Sequence, residues 1–228
     1  MKKILLFFSF IIILLFSNIS FASTTIQLQD ADTENDADTF VNELSSTTNY
    51  GNDGYLSVDE KTVTNKRTFL RFNISAVPDV IIISNFTICL YDYTYYDTGS
   101  NDTTRYDMHK VDNITWGETD ITWDDQPSYN TTIMSNLSFY YKTKDVWRCW
   151  EVNTDVDSWL NSTDLSNDLI SFMIKDQTEV DSTAYYHRYV SKENSTASLR
   201  PYMNITYSDN TEPTYTYTDT SPSIMTSP

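Results

Sequence analysis

The chain predicts an all-β fold, an antiparallel sandwich or barrel, and three observations carry that prediction. Short segments alternate apolar and polar residues with a period of two, which marks half-buried strands. Tyr and Thr, which favour strands, are abundant, while Asn, Asp and Ser supply turns in a chain with only four glycines. Finally, no long amphipathic helix interrupts the short strands and their turn signals.

Taken in order, residues 1–22 form a leader rather than part of the fold. Lys2 and Lys3 precede an apolar run at 4–16, and Ser20-Phe21-Ala22 offers a cleavage site. The run is too short to anchor the chain: thirteen residues at about 1.5 Å reach about 20 Å, against a core of ~30 Å. Residues 23–36 read as a solvated acidic arm, with Asp30, Asp32, Glu34, Asp36 and Asp38 at every second position. Their spacing suggests a calcium loop, but an EF-hand counted from Asp30 would need Gly at Asn35 and Glu at Val41, so that motif is excluded.

The main domain is expected over 37–208. In TFLRFNI (68–74), Leu70, Phe72 and Ile74 face one way and Phe69, Arg71 and Asn73 the other. Pro78-Asp79 marks a turn. In NFTICLYDY (85–93), Phe86, Ile88 and Leu90 point inward and Asn85, Thr87 and Cys89 outward. Residues 94–104 and 128–138 read as loops, and RYDMHKVD (105–112) and VWRCWEVN (146–153) as strands. VDSWLNST (156–163) is a helical turn or a strand end, and LISFMIK (169–175) a central strand. AYYHRYVS (184–191) is another strand, and in YMNITYS (202–208) Met203, Ile205 and Tyr207 share a face. Residues 209–228, rich in Thr, Ser and Pro, read as a disordered tail.

Charge and composition exclude several functions. The net charge is −17; without the two leader lysines, 13 basic and 32 acidic residues remain, net −19. Such a surface repels nucleic acid and anionic lipid. No glycine-rich phosphate loop is present. Cys89 and Cys149 pair as a disulfide outside the cell or stay as two thiols facing different ways. Nine N-x-[S/T] sequons, at Asn73, Asn85, Asn101, Asn113, Asn130, Asn136, Asn161, Asn194 and Asn204, suit an exported glycoprotein.

An ordered series of segments carries a family resemblance. ADTFV (37–41), TNYG (48–51) and LSV (56–58) come first, then KRTFLRFNISAVP (66–78) and TICLY (87–91). WGETDITWDDQP (116–127), WEVNTDVDSWL (150–160) and YVSKENSTASLRPYMNITY (189–207) complete it. The chain resembles the DNRLRE-type domain, grouped with family-96 carbohydrate-binding modules and with disaggregatase-associated domains of archaeal surface proteins. The resemblance implies a β-sandwich of jelly-roll type that binds extracellular polysaccharide. It also implies calcium as a frequent guest; Asp36 and Asp38 are the candidates for one structural ion. The chain departs from the family in replacing turn glycines by Asn, Asp and Ser, and in carrying no recognisable catalytic domain beside the module.

The segment WGETDITWDDQP has two readings. In the structural one, Gly117-Glu118-Thr119-Asp120 turns, ITW runs as a strand with Trp123 or Ile121 inward, Pro127 ends it, and Asp124, Asp125 and Gln126 bond the next turn. In the functional one, an exposed Trp stacks on sugar; the structural reading is preferred. Glu118 with Asp120 or Asp124 is a weak glycosidase pair, because acids are abundant everywhere. A lyase would set His187 or His109 beside Tyr185, with Arg188 neutralising a uronate; a strand His bonded to a neighbour is the plainer account. The sugar-binding candidates are Tyr93, Tyr95 and Tyr96, the pair Tyr185 and Tyr186, and a basic patch of Lys66, Arg67 and Arg71, which either holds an acidic sugar or pairs with nearby acids.

The sequence thus reads as a secreted or cell-surface, non-catalytic polysaccharide-binding glycoprotein. It has no nucleic-acid partner, no membrane insertion after leader cleavage, and cell-envelope neighbours. The alternatives are a structural envelope or viral surface glycoprotein and, third, a polysaccharide lyase or hydrolase.

Overall fold

The computed structural model describes residues 23–29, 35–60, 64–78, 81–96, 103–140, 142–160, 162–179 and 185–209. The expected leader, Asp30, Asp32, Glu34 and all of the expected tail but Asp209 lie outside them. The strands are β1 (Ser23–Gln29), β2 (Ala37–Asn42), β3 (Tyr55–Glu60), β4 (Lys66–Asn73), β5 (Ile81–Tyr96), β6 (Thr103–Val111), β7 (Ser135–Tyr140), β8 (Val146–Val152), β9 (Leu169–Asp176), β10 (Tyr185–Val190) and β11 (Tyr202–Asp209). Two short helices, α1 (Val156–Trp159) and α2 (Ser162–Asn167), join β8 to β9.

The strands pair antiparallel in the order β1-β11-β5-β10-β3-β4-β9-β6-β7, with β2 also on β4 and β8 also on β5. This long sheet curls over an apolar interior, giving the all-β sandwich that the alternation predicts. Leu70, Phe72 and Ile74 meet Phe86, Ile88 and Leu90 there, beside Trp150, Phe172, Met203 and Ile205. Each such buried side chain stabilises the fold by roughly 1.5–3 kcal/mol. Cys89 and Cys149 sit directly opposite each other on β5 and β8 and form a disulfide, Cα–Cα 4.2 Å.

Several sequence expectations change. Residues 23–29 are not a solvated arm but the strand β1, in register with β11, with Ile26 and Leu28 packed on the core. The loops expected at 94–104 and 128–138 are shorter, because β5 runs to Tyr96, β6 starts at Thr103 and β7 starts at Ser135. The VDSW segment is a helical turn. His187 is fully buried. Its Nδ1 lies 2.8 Å from Oδ2 of buried Asp92, which also accepts from Arg148 Nε at 3.2 Å.

The largest change concerns the outward face of β4. It is covered, not solvated. A second apolar cluster joins Phe69, Met173, Ala37, Val41 and Val111 to Trp116 and Ile121, with Trp123 and Tyr129 at its rim. The loop 112–134 folds across the sheet to supply those caps. Trp116 Nε1 donates to Ser171 Oγ at 2.8 Å, which satisfies a buried donor. Asn49 Nδ2 donates to the carbonyls of Glu118 (2.9 Å) and Ile121 (2.8 Å). A Cβ on Gly51 would lie 2.3 Å from the Glu118 carbonyl oxygen, so TNYG and WGETDITW fit only with glycine there. The expected turn forms, closed by Asp120 N–H on Gly117 O at 3.1 Å, but ITW is not a strand. The tryptophans of WGETDITWDDQP therefore form part of a wall.

Candidate functional site

The three residues read as a basic patch have separate fates. Arg71 is 8 % exposed and donates to the carbonyls of Asn35 (2.9 Å), Ile114 (3.1 Å) and Trp116 (2.5 Å). It ties the covering loop to β4, so it is not a docking residue. Arg67 forks onto both carboxylate oxygens of Glu179, at 2.7 and 2.8 Å, and onto Gln126 Oε1 at 2.9 Å. Its guanidinium lies 4.5 Å from the Trp123 ring centroid. Both arginines are thus committed to internal partners. Alternation along β4 placed them on the outward face correctly, but could not reveal the loop that closes over it.

The Arg67–Glu179 pair should set part of the acid sensitivity. Burial alone would push the Glu179 carboxyl up, but the hydrogen bonds and charge of Arg67, with Lys175 behind, hold it below the ordinary 4.5. A depressed carboxylate stabilises the fold above its unfolded pKa, and that stabilisation is lost as pH falls through the folded value. Urea midpoints followed from pH 7 to 3 should fall more below pH 4.5 in the wild type than in Glu179→Gln. Parallel acid limbs would disprove the assignment.

Lys66 behaves differently. Its Nζ lies 3.3 Å from Asp59 Oδ2 and 5.1 Å from the Tyr186 ring centroid. Register explains the grouping: Tyr96 on β5 is opposite Tyr186 on β10, Tyr186 is opposite Asp59 on β3, and Asp59 is opposite Lys66 on β4. Four neighbouring strands therefore bring two aromatics, an acid and a base together at one end of the sheet. Tyr96 stacks on Tyr186, with centroids 5.4 Å apart and planes 10° apart, and remains 49 % exposed. A cavity of about 220 Å³ opens beside them, lined by Tyr96, Tyr186, Asp59, Lys66, Asn42, Leu44 and Thr64. Asn42 is pre-positioned: its Oδ1 accepts from Leu44 N at 3.1 Å and its Nδ2 donates to Tyr50 Oη at 3.2 Å. An exposed phenol face beside converging hydrogen-bonding groups suits a pyranose ring, apolar on one face and hydroxylated at its rim.

The other candidates divide between the faces. Tyr93 lies on the outer face beside Arg188; burial pushes its hydroxyl up and the nearby guanidinium pulls it partly back. Arg188 stands 4.3 Å from the Tyr55 centroid and 5.1 Å from Tyr186. Tyr95 turns the other way, its ring 6.2 Å from that of buried His187. Tyr185 pairs with Glu60 in register, but its side chain lies outside the described residues. His187 and Arg188 are strand neighbours on opposite faces, so the grouping a lyase would need does not assemble around them. His109 is also buried, its Nδ1 2.9 Å from the Asn130 carbonyl.

Asp36 and Asp38 each accept a backbone N–H. Asp36 Oδ1 accepts from Asn73 N at 2.7 Å and Asp38 Oδ2 from Lys192 N at 2.8 Å. Asp38 does group with Glu118 and Glu193, their carboxylate oxygens within 4.8 Å of one another. Lys192 Nζ stands among them, 2.9 Å from both Glu118 and Glu193. Burial pulls that ammonium down, yet the two carboxylates raise it well above its usual value. The acids already have their cation, so this donor set does not fit calcium without displacing Lys192.

Sequence reading missed Asp59, Arg188 as an outer-face cation, and Trp147. The signal was present in the alternation of YLSVDE and VWRCWEV, which puts Asp59 with Tyr55 and Trp147 with Cys149.

A family model described as carbohydrate-binding module family 96 matches residues 29–207. No curated protein matches the chain. Among solved structures, the infectious bursal disease virus VP2 subviral particle aligns over 82 % of this chain and 37 % of its own, at 10 % identity and a TM-score of 0.17. The chain thus spans just over a third of that protein. Among the described residues, no helix is long and apolar enough to cross a membrane.

Proposed function

Since the chain belongs to carbohydrate-binding module family 96, we propose that it is a secreted or cell-surface, non-catalytic module that holds polysaccharide on Tyr96 and the adjoining cavity. One observation carries this reading: a half-exposed Tyr96, stacked on Tyr186 and in line with Asp59 and Lys66, faces a cavity on the outer sheet. Aromatic stacking supplies contact area at low rotamer cost, and the Asp–Lys pair supplies an acceptor and donors for hydroxyls. The non-catalytic part of the reading draws support from His187, which spends its Nδ1 on Asp92 inside the core.

Export fits the cross-strand disulfide and the sequons. Asn113, Asn130 and Asn136 are exposed, whereas Asn73, Asn85, Asn194 and Asn204 are half-buried; Asn101 and Asn161 lie outside the described residues. We read the three exposed positions as the glycan carriers. Asn113 and Asn130 lie between β6 and β7, and Asn136 lies on β7.

The test is affinity electrophoresis through gels cast with xylan, galactomannan, mixed-linkage β-glucan or pectate. At least one polymer should retard the wild type. Tyr96→Ala should weaken that retardation about tenfold or more, the usual scale for truncating a central aromatic contact. Tyr96 is exposed enough for the variant to keep its melting temperature. Equal retardation of the two proteins would remove Tyr96 from the site.

A further inference from the structure

We propose that the ligand is one long glycan chain laid along the outer face of β5, with a second stacking position at Trp147; this rests on the carbohydrate-binding reading above. Strand β5 carries a break in register. Strict alternation would set Tyr91 and Tyr93 on one face of β5 and Tyr96 on the other. The pairing with β10 shifts between Arg188, opposite Thr94, and Tyr189, opposite Asp92, so Tyr93 is an extra, bulged residue. Upstream of it, Leu90 and Asp92 point inward, which leaves Tyr91 outside. Downstream, Tyr95 points inward at His187, which leaves Tyr96 outside. The bulge therefore brings Tyr91, Tyr93 and Tyr96 onto one face.

That row is about 13 Å long, four paired steps of ~3.3 Å because the bulged residue adds no full step, and it does not stop at Tyr91. Trp147 on β8 is directly opposite Tyr91, its ring centroid 5.3 Å away, and Tyr202 on β11 lies 4.8 Å from Trp147 on the other side. All three rings are half-buried, with part of each open to solvent. Their place is fixed from both faces. The Cys89–Cys149 disulfide locks β8 to β5 one alternate position away, and Arg148 reaches inward to Asp92, which turns its neighbour Trp147 outward. A cavity of about 220 Å³ at the Tyr96 end and a rigid aromatic group at the Trp147 end mark two contacts on one continuous face.

Two separated contacts make affinity depend on length. The probes are size-defined oligosaccharides, from disaccharide to octasaccharide, cut from whichever gel polymer retards the wild type, with binding measured by titration calorimetry. Affinity should climb with length beyond the shortest oligomer that binds. Trp147→Ala should lose about tenfold on the octasaccharide and stay within about twofold on that shortest oligomer. Tyr202→Ala, on a different strand, repeats the comparison if the first variant folds poorly. Affinity that is flat with length, or variants that match the wild type on the octasaccharide, would overturn the track while leaving the Tyr96 site standing. If no polymer retards the wild type, the carbohydrate reading itself falls and the track falls with it.

Discussion

Replacing Arg71 by alanine is expected to lower the unfolding free energy by about 3–5 kcal/mol, the cost of dismantling a buried charged network. The guanidinium is nearly enclosed and bonds three backbone carbonyls, of Asn35, Ile114 and Trp116. Hydrogen bonds to a charged donor contribute more than neutral ones, and each abandoned carbonyl would be left with desolvation to meet. The same side chain lies 5.2 Å from the Trp116 ring centroid, so its removal also opens space beneath the indole. Arg71→Lys should recover only part of the loss, because an ammonium cannot span the three acceptors that a planar fork reaches. Urea unfolding at pH 7 with tryptophan fluorescence measures this, since Trp116 and Trp123 sit on the cover that Arg71 anchors. A loss under about 1 kcal/mol would show that the loop holds without it. Sugar retention by the folded fraction should be unchanged, because Arg71 and Tyr96 act on different parts of the sheet.

Arg71 also shows where sequence reading stops. Period two in TFLRFNI correctly separates Leu70, Phe72 and Ile74 from Phe69, Arg71 and Asn73, because strand geometry is local. Whether an outward face meets water is not local. It depends on the loop 112–134 returning some 45 residues later to cover it, and no pattern within β4 records that. The Trp-rich segment could be identified as structural, but not as the cap of that strand. The same limit applies to YDYTYYD. Its tyrosines stand out as sugar contacts, yet their division between faces turns on a bulge set by pairing with β10. β1 was hidden for a different reason: only Ile26 and Leu28 alternate there among exposed polar neighbours, too little to mark a strand without β11 beside it. Lys66, Tyr96 and Tyr186 were legible as candidates, but their convergence with Asp59 depends on four strands in register.

The second large effect is expected at Asp92. Asp92→Ala should cost about 3–5 kcal/mol, since it removes a buried acceptor shared by the buried His187 and the half-buried Arg148. Asp92 is fully buried, and its Oδ2 meets His187 Nδ1 and Arg148 Nε. A carboxylate only accepts hydrogen bonds, so the imidazole Nδ1–H must donate, fixing the ring's tautomer. Without the carboxylate, the Arg148 cation would remain against the Phe139 ring, 3.9 Å from its centroid, with its counter-charge gone. Asp92→Asn keeps an acceptor but not the charge, and should lose less. The consequence reaches the outer face. Arg148 also donates to the Thr143 carbonyl at 2.9 Å, so the network fixes the turn entering β8 and, through alternation, the outward set of Trp147. Asp92→Asn, if it stays folded, should therefore bind long oligosaccharides more weakly than the wild type while its grip on short ones at Tyr96 persists. Chemical unfolding ranks the three proteins. If Asp92→Ala melts with the wild type, the buried network is not what holds β8, and the outward placement of Trp147 must come from the disulfide alone.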